Sequence, residues 1–165
     1  NGVWAVDFVY DQTVSGQTLK ILTVVDEWSR EAVNITVTTR MTSRDVQQVL
    51  DTMVGQYGQP RRVRSDNGSE FLARTIQAWS AAHGIQSALI EPGKPWQNGV
   101  NERFNGTLRD ECLSREVWTS VQEAQVVIEQ WRQAYNAERP HSSLGYQTPT
   151  EYRNLSQPVD EYLGS

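Results

Sequence analysis

A chain of 165 residues with 38% hydrophobic residues, six Trp and six Tyr can bury a sizeable core, which excludes intrinsic disorder. It holds no run of about 18 apolar residues and no charged-then-apolar leader, so neither a membrane span nor a signal peptide is expected. The net charge of −5 and isoelectric point near 5.0 argue against a dedicated nucleic-acid-binding module, and the single Cys112 excludes an internal disulfide and fits a reducing compartment.

In chain order, Val3 to Tyr10 is nearly all apolar or aromatic and reads as a buried strand. The start at Asn1 and Gly2, directly against this strand, reads as a fragment cut from a longer protein. Asp11 to Gln17 reads as a turn and Leu19 to Val25 as a second strand. After a turn at Glu27 to Arg30, Val33, Ile35 and Val37 alternate with Asn34, Thr36 and Thr38, a strand with one wet face. Short connections make these three an antiparallel meander. Val46, Val49, Leu50, Met53, Val54 and Tyr57 then follow helical spacing, with Thr42 or Ser43 as the cap and Gly58 and Pro60 as the stop.

Arg61 to Ser65 is a short strand, and four arginines between Arg61 and Arg74 locally reverse the acidic balance. Leu72, Ile76 and Trp79 mark a second helix ended by Gly84, and Ile85 to Ile90 a fifth strand. Pro92, Gly93 and Pro95 force a loop from Glu91 to Trp96. A third helix carries Val100, Phe104 and Leu108 on one face, with Cys112 expected inside a helix. A fourth carries Ala124, Val127, Ile128, Trp131 and Tyr135, and a short one is expected after Pro149. Trp4, Trp79 and Trp131 read as packing residues. The order implies an α/β fold, a mixed sheet with helices on both faces, and one domain over residues 1–165.

Three carboxylates stand out. Asp7 sits within an apolar strand, where an unpartnered ionised carboxylate is costly; alone it reads equally as a hydrogen-bonded structural residue or a metal ligand. Asp66 follows a strand and precedes Asn67-Gly68, which reads as a plain turn or as a site at a strand's carboxyl end. Glu102 shares a helix face with Asn98, Asn105, Gly106 and Arg109, opposite Phe104; that face is either solvated or a reader of phosphates and bases. Three hard oxygen ligands suit Mg²⁺ or Mn²⁺, and two such ions clamp the attacking and leaving oxygens of an in-line phosphoryl displacement. With only His83, His141 and Cys112 as alternative ligands, zinc is not expected.

The contexts of these carboxylates carry a resemblance. Val3-Trp4-Ala5-Val6-Asp7, Ser65-Asp66-Asn67-Gly68-Ser69-Glu70-Phe71 and Gly93-Lys94-Pro95-Trp96-Gln97-Asn98-Gly99-Val100-Asn101-Glu102 resemble the integrase-type core of bacterial insertion-sequence transposases, which shares its triad with retroviral integrases. Asp26-Glu27-Trp28-Ser29-Arg30 and the segment from Asn136 to Tyr146 look like further signatures of that family. The resemblance implies a ribonuclease-H-like fold with a five-stranded mixed sheet in the order 3-2-1-4-5. It implies catalytic metal ligands at Asp7, Asp66 and Glu102, two Mg²⁺ or Mn²⁺ ions, cleavage of transposon ends and strand transfer into target DNA. Lys94, Gln97, Asn98, Asn105 and Arg109 match family positions along the DNA path. A homo-oligomer of at least two subunits, a bacterial cytoplasmic, nucleoid-associated setting and a separate upstream DNA-binding region, absent here, are further expectations. Competing readings are a ribonuclease-H-like nuclease or resolvase and an inactive DNA-binding or assembly domain of a degenerate element. Glu70 reads most simply as a helix-start carboxylate, Trp96 as a loop anchor or base stacker, and His141 as a structural contact to the tail.

Overall fold

The computed structural model describes residues 2–65, 69–89 and 99–155. Strands β1 (Val3–Gln12), β2 (Thr18–Asp26) and β3 (Ala32–Thr38) form the antiparallel meander. Strands β4 (Arg62–Ser65) and β5 (Gln86–Leu89) add in parallel beyond β1, giving a five-stranded sheet ordered β3-β2-β1-β4-β5. The meander comes from short turns. The parallel strands each need a crossover, supplied by helices α1 (Ser43–Tyr57) and α2 (Glu70–Ala82). β1 runs through Asp11 and Gln12, where the sequence reads as a turn, because both residues pair with the start of β2.

Local chemistry explains the helix boundaries. Thr42 caps α1 through a reciprocal box: its Oγ1 accepts from the Asp45 N–H at 3.2 Å, and Asp45 Oδ2 accepts from the Thr42 N–H at 2.9 Å. Hydrogen bonding from the Thr42 backbone, and then from the Thr42 side chain, holds the Asp45 carboxyl below its ordinary range. Gly58 (φ 84°) and Gly84 (φ 65°), just past α1 and α2, take backbone conformations that side chains disfavour.

Alternation along β1 sends Trp4, Val6 and Phe8 to one face of the sheet, packed with Val46 and Leu50 of α1 and Leu72, Ile76 and Trp79 of α2. The other face carries Val9, Ile21, Val25, Ile35 and Val37. It is covered by α3 (Gly99–Glu111) through Phe104 and Leu108 and by α4 (Val121–Glu138) through Ala124, Ile128 and Tyr135. Cys112 lies just beyond α3, at the start of a single 3₁₀ turn over Leu113–Arg115, and is not inside a helix as its sequence context suggests. Trp118, buried after that turn, donates its indole N–H to Asp11 Oδ2 at 3.0 Å and so ties the segment before α4 to the end of β1. The short helix α5 (Pro149–Leu155) starts on Pro149 itself, at the position where a missing N–H costs nothing. No helix among the described residues is long and apolar enough to cross a membrane.

Candidate active site

Asp7 leaves β1 on the face covered by α3 and α4. Its half-buried carboxylate is held from two directions. The Phe8 N–H donates to Oδ1 at 2.8 Å, and Asn105 Nδ2, from α3, donates to Oδ2 at 2.8 Å. The Asn105 amide oxygen accepts in turn from Thr23 Oγ1 at 3.4 Å, and Thr23 is the residue opposite Asp7 on β2. A carboxylate in an apolar layer is tolerated when donors of this kind meet it, and the amide fixes which way its oxygens point.

The helix is placed by its apolar stripe. Phe104 and Leu108 are buried against the sheet, while Glu102 and Arg109 are exposed and Asn105 is half-buried. At about 100° per residue, Glu102, Asn105 and Arg109 share a flank. Arg109 Nη2 donates to the Tyr10 carbonyl at 3.3 Å, so Asn105 and Arg109, one turn apart, touch successive stretches of β1. The structure thus brings Asp7 and Asn105 into contact and sets Glu102 on the same helix flank.

On the opposite side of β1, Val6 pairs with Ser65, the last residue of β4. The next residue in sequence, Asp66, lies outside the described residues, as do Lys94, Gln97, Asn98 and the loop carrying Trp96. Among the described residues, no group of three or more His, Cys, Asp and Glu side chains is arranged to hold a metal ion. Glu70 begins α2 and pairs with Arg74 at 2.6 Å, as expected of a helix-start carboxylate. His141 sets its ring edge-on against Tyr135 of α4, with centroids 5.1 Å apart. Thr23 is the site residue that sequence reasoning passed over. Its signal was a lone hydroxyl within an otherwise apolar run, and only the pairing register gives it a partner.

Two family models described as integrase core domain match residues 1–95 and 83–149. An uncharacterized protein of insertion element IS407 from Burkholderia multivorans is 44% identical over 92% of this chain and 55% of that protein. A putative transposase, InsK for insertion sequence IS150 of Escherichia coli, is 28% identical over 93% of this chain and 55% of that protein. The chain spans about half the length of the curated relatives it matches. The HTLV-2 integrase catalytic core, solved in complex with magnesium, superposes with a TM-score of 0.68 at 17% identity, over 92% of this chain and 95% of that one. A chain of the simian T-cell lymphotropic virus intasome, solved in complex with the PP2A regulatory subunit B56 gamma, gives 0.72 at 20% identity, over 96% of this chain and 55% of that one.

Proposed function

The chain belongs to the integrase core domain family, and on that premise we propose that it cleaves transposon ends and transfers the strands into target DNA. Asp7, Asp66 and Glu102 are the proposed metal ligands, and Lys94, Gln97, Asn98, Asn105 and Arg109 the proposed contacts along the DNA. The observation that carries this reading is the Asn105–Asp7 hydrogen bond. It fastens the strand bearing the first carboxylate to the helix bearing the last, 98 residues apart in sequence.

The donor set fits a hard divalent cation, because Asp7 and Glu102 offer carboxylate oxygens and the neutral Asn105 amide orients the first of them. Two Mg²⁺ or Mn²⁺ ions bound there would offset charge on the attacking and leaving oxygens. In the reaction, an oxygen of water or of a 3′-hydroxyl bonds to phosphorus as the scissile P–O bond breaks, and no covalent enzyme intermediate is needed. Asn105 keeps the Asp7 oxygens aimed across the α3–β1 seam. Exposed Arg109 places a guanidinium where it can meet a backbone phosphate. An assembly of at least two subunits follows from the need to join two DNA ends, and dimeric and trimeric forms of the HTLV-2 core support it.

The test is Mn²⁺-dependent strand rejoining on branched DNA by the purified protein, wild type against Glu102→Gln. Rejoining is expected to fall on the order of 10³-fold, with the circular dichroism spectrum unchanged, as several kcal/mol of charge stabilisation are removed. A variant that rejoins at the wild-type rate would overturn the assignment.

A further inference from the structure

A cavity of about 550 Å³ opens between α3, the end of α4 and the segment that follows it, on a different flank of α3 from Glu102 and Asn105. Arg30, Arg103 and Arg139 line it together, with the hydroxyls of Thr107, Ser142 and Ser143. Among the described residues no Asp or Glu lines it, in a chain with 20 acidic and 15 basic residues. Arg139 is paired with Glu111 at 2.7 Å, whereas Arg30 and Arg103 form no ion pair among the described residues. Three arginines and three hydroxyl-bearing residues around one hollow are the residue types that a receptor for phosphate oxygens uses.

Two independent features point the same way. Among the described residues, the two non-glycine residues with positive φ, Arg30 (62°) and Tyr146 (64°), both line this cavity. The surrounding backbone holds each strained turn: the Arg30 N–H donates to Asp26 O at 2.8 Å, and the Tyr146 N–H to His141 O at 2.7 Å. Within the same wall, His141 Nε2 is buried and has no hydrogen-bond partner among the described residues. Burial, followed by the charges of Arg139 and Arg30, pushes the His141 pKa below its ordinary value. A bound anion would both partner that nitrogen and offset the clustered charge.

We propose that this cavity seats a backbone phosphate of DNA, as a second contact separate from the strand lying over Asp7 and Glu102. The proposal rests on the reading that this domain acts on DNA. Tyr146, 75% exposed at the cavity, favours a polynucleotide over a lone phosphate, because its ring offers a surface on which a base or sugar can stack. Around α3, Arg103 lies about 100° from Glu102, so a strand seated on the arginines leaves the carboxylate flank open.

The experiment is fluorescence anisotropy of duplex DNA with the purified protein in metal-free buffer across a salt series. Wild type is compared with an Arg30→Asn/Arg103→Gln double variant. These two arginines are chosen because neither holds an ion pair that the fold would lose, and Asn tolerates the positive φ at position 30. The expected result is several-fold weaker binding and a slope of log K against log salt reduced by about one to two, with the melting temperature retained. His141 ring resonances should shift on adding DNA to the wild type and stay in place in the variant. An unchanged slope in a folded variant overturns the proposal. So does a shift of the His141 resonances by inorganic phosphate alone where duplex DNA produces none, which would assign the cavity to a small phosphorylated ligand. Strand rejoining that still depends on Glu102, beside an unchanged slope, would remove the cavity proposal and keep the catalytic one. A changed slope without Glu102 dependence would do the reverse.

Discussion

On one face of the sheet, Trp4, Val6 and Phe8 meet Leu50 of α1 and Ile76 and Trp79 of α2 in an unbroken apolar layer. On the other face, Ala5 and Val9 flank Asp7, and α3 meets that carboxylate with Asn105 and places Glu102 and Arg109 on the same flank. The same strand therefore serves two ends. Its even-numbered residues contribute burial, at about 1.5–3 kcal/mol for each large side chain. On the other face Ala5 and Val9 are buried as well, and Asp7 between them gives up part of that burial to set a carboxylate there. The unbroken apolar layer and the layer that holds the carboxylate lie back to back on the two faces of one sheet.

Substitution on each face separates the two layers. The largest effect is expected for Leu50→Ala, a fully buried side chain in the α1 layer. Urea unfolding should show a loss of about 2–5 kcal/mol, with the response to Mn²⁺ unaltered in the protein that remains folded. A loss of metal response in that variant would mean that the layers are coupled through β1. Next is Asn105→Ala. Removing the donor to Asp7 is expected to cost about 1–2 kcal/mol and to weaken Mn²⁺ binding about 10–100-fold, read as a higher Mn²⁺ concentration for half-maximal rejoining. Lost stability with an unchanged metal requirement would reduce Asn105 to a structural clasp. The smallest effect concerns Cys112, whose thiol is buried beyond the end of α3 and pushed up to about 11, first by burial and then by Glu116 and Asp11. A thiol stays protonated and unreactive below its pKa, so the folded protein at pH 8 should resist alkylation until urea unfolds it. Rapid labelling of the native protein would show that the α3 end opens easily.

Much of this was readable in the chain. A strand with one wet face, a Thr42 cap and a helix stop at Gly58 are statements about neighbours in sequence, and each appears where its pattern places it. Asp7 announces itself as the charged residue in an apolar run, and Asn105 as a polar residue on the Glu102 flank. That one bonds the other is not visible, since the bond depends on how far α3 slides along β1 once Phe104 and Leu108 are seated. The arginine cavity is not legible as a cavity, although two of the segments that line it, Asp26 to Arg30 and Asn136 to Tyr146, look like family signatures. Arg30 comes from the β2–β3 turn, Arg103 from α3 and Arg139 from the end of α4, and each alone looks like an ordinary surface cation.

By itself, the sequence determined the strands and helices, which flank of each helix is apolar, and the motifs that place this chain among integrase cores. Residue spacing along a chain sets periodicity and capping, and those depend on near neighbours alone. The resemblance also gave the strand order 3-2-1-4-5 that the sheet has, and only the tertiary structure decided that Asn105 clasps Asp7 against Thr23 and that three distant arginines share one hollow. Such contacts join segments whose separation in sequence carries no information about their distance in space, and they are settled by the packing of apolar faces that the polar groups then follow.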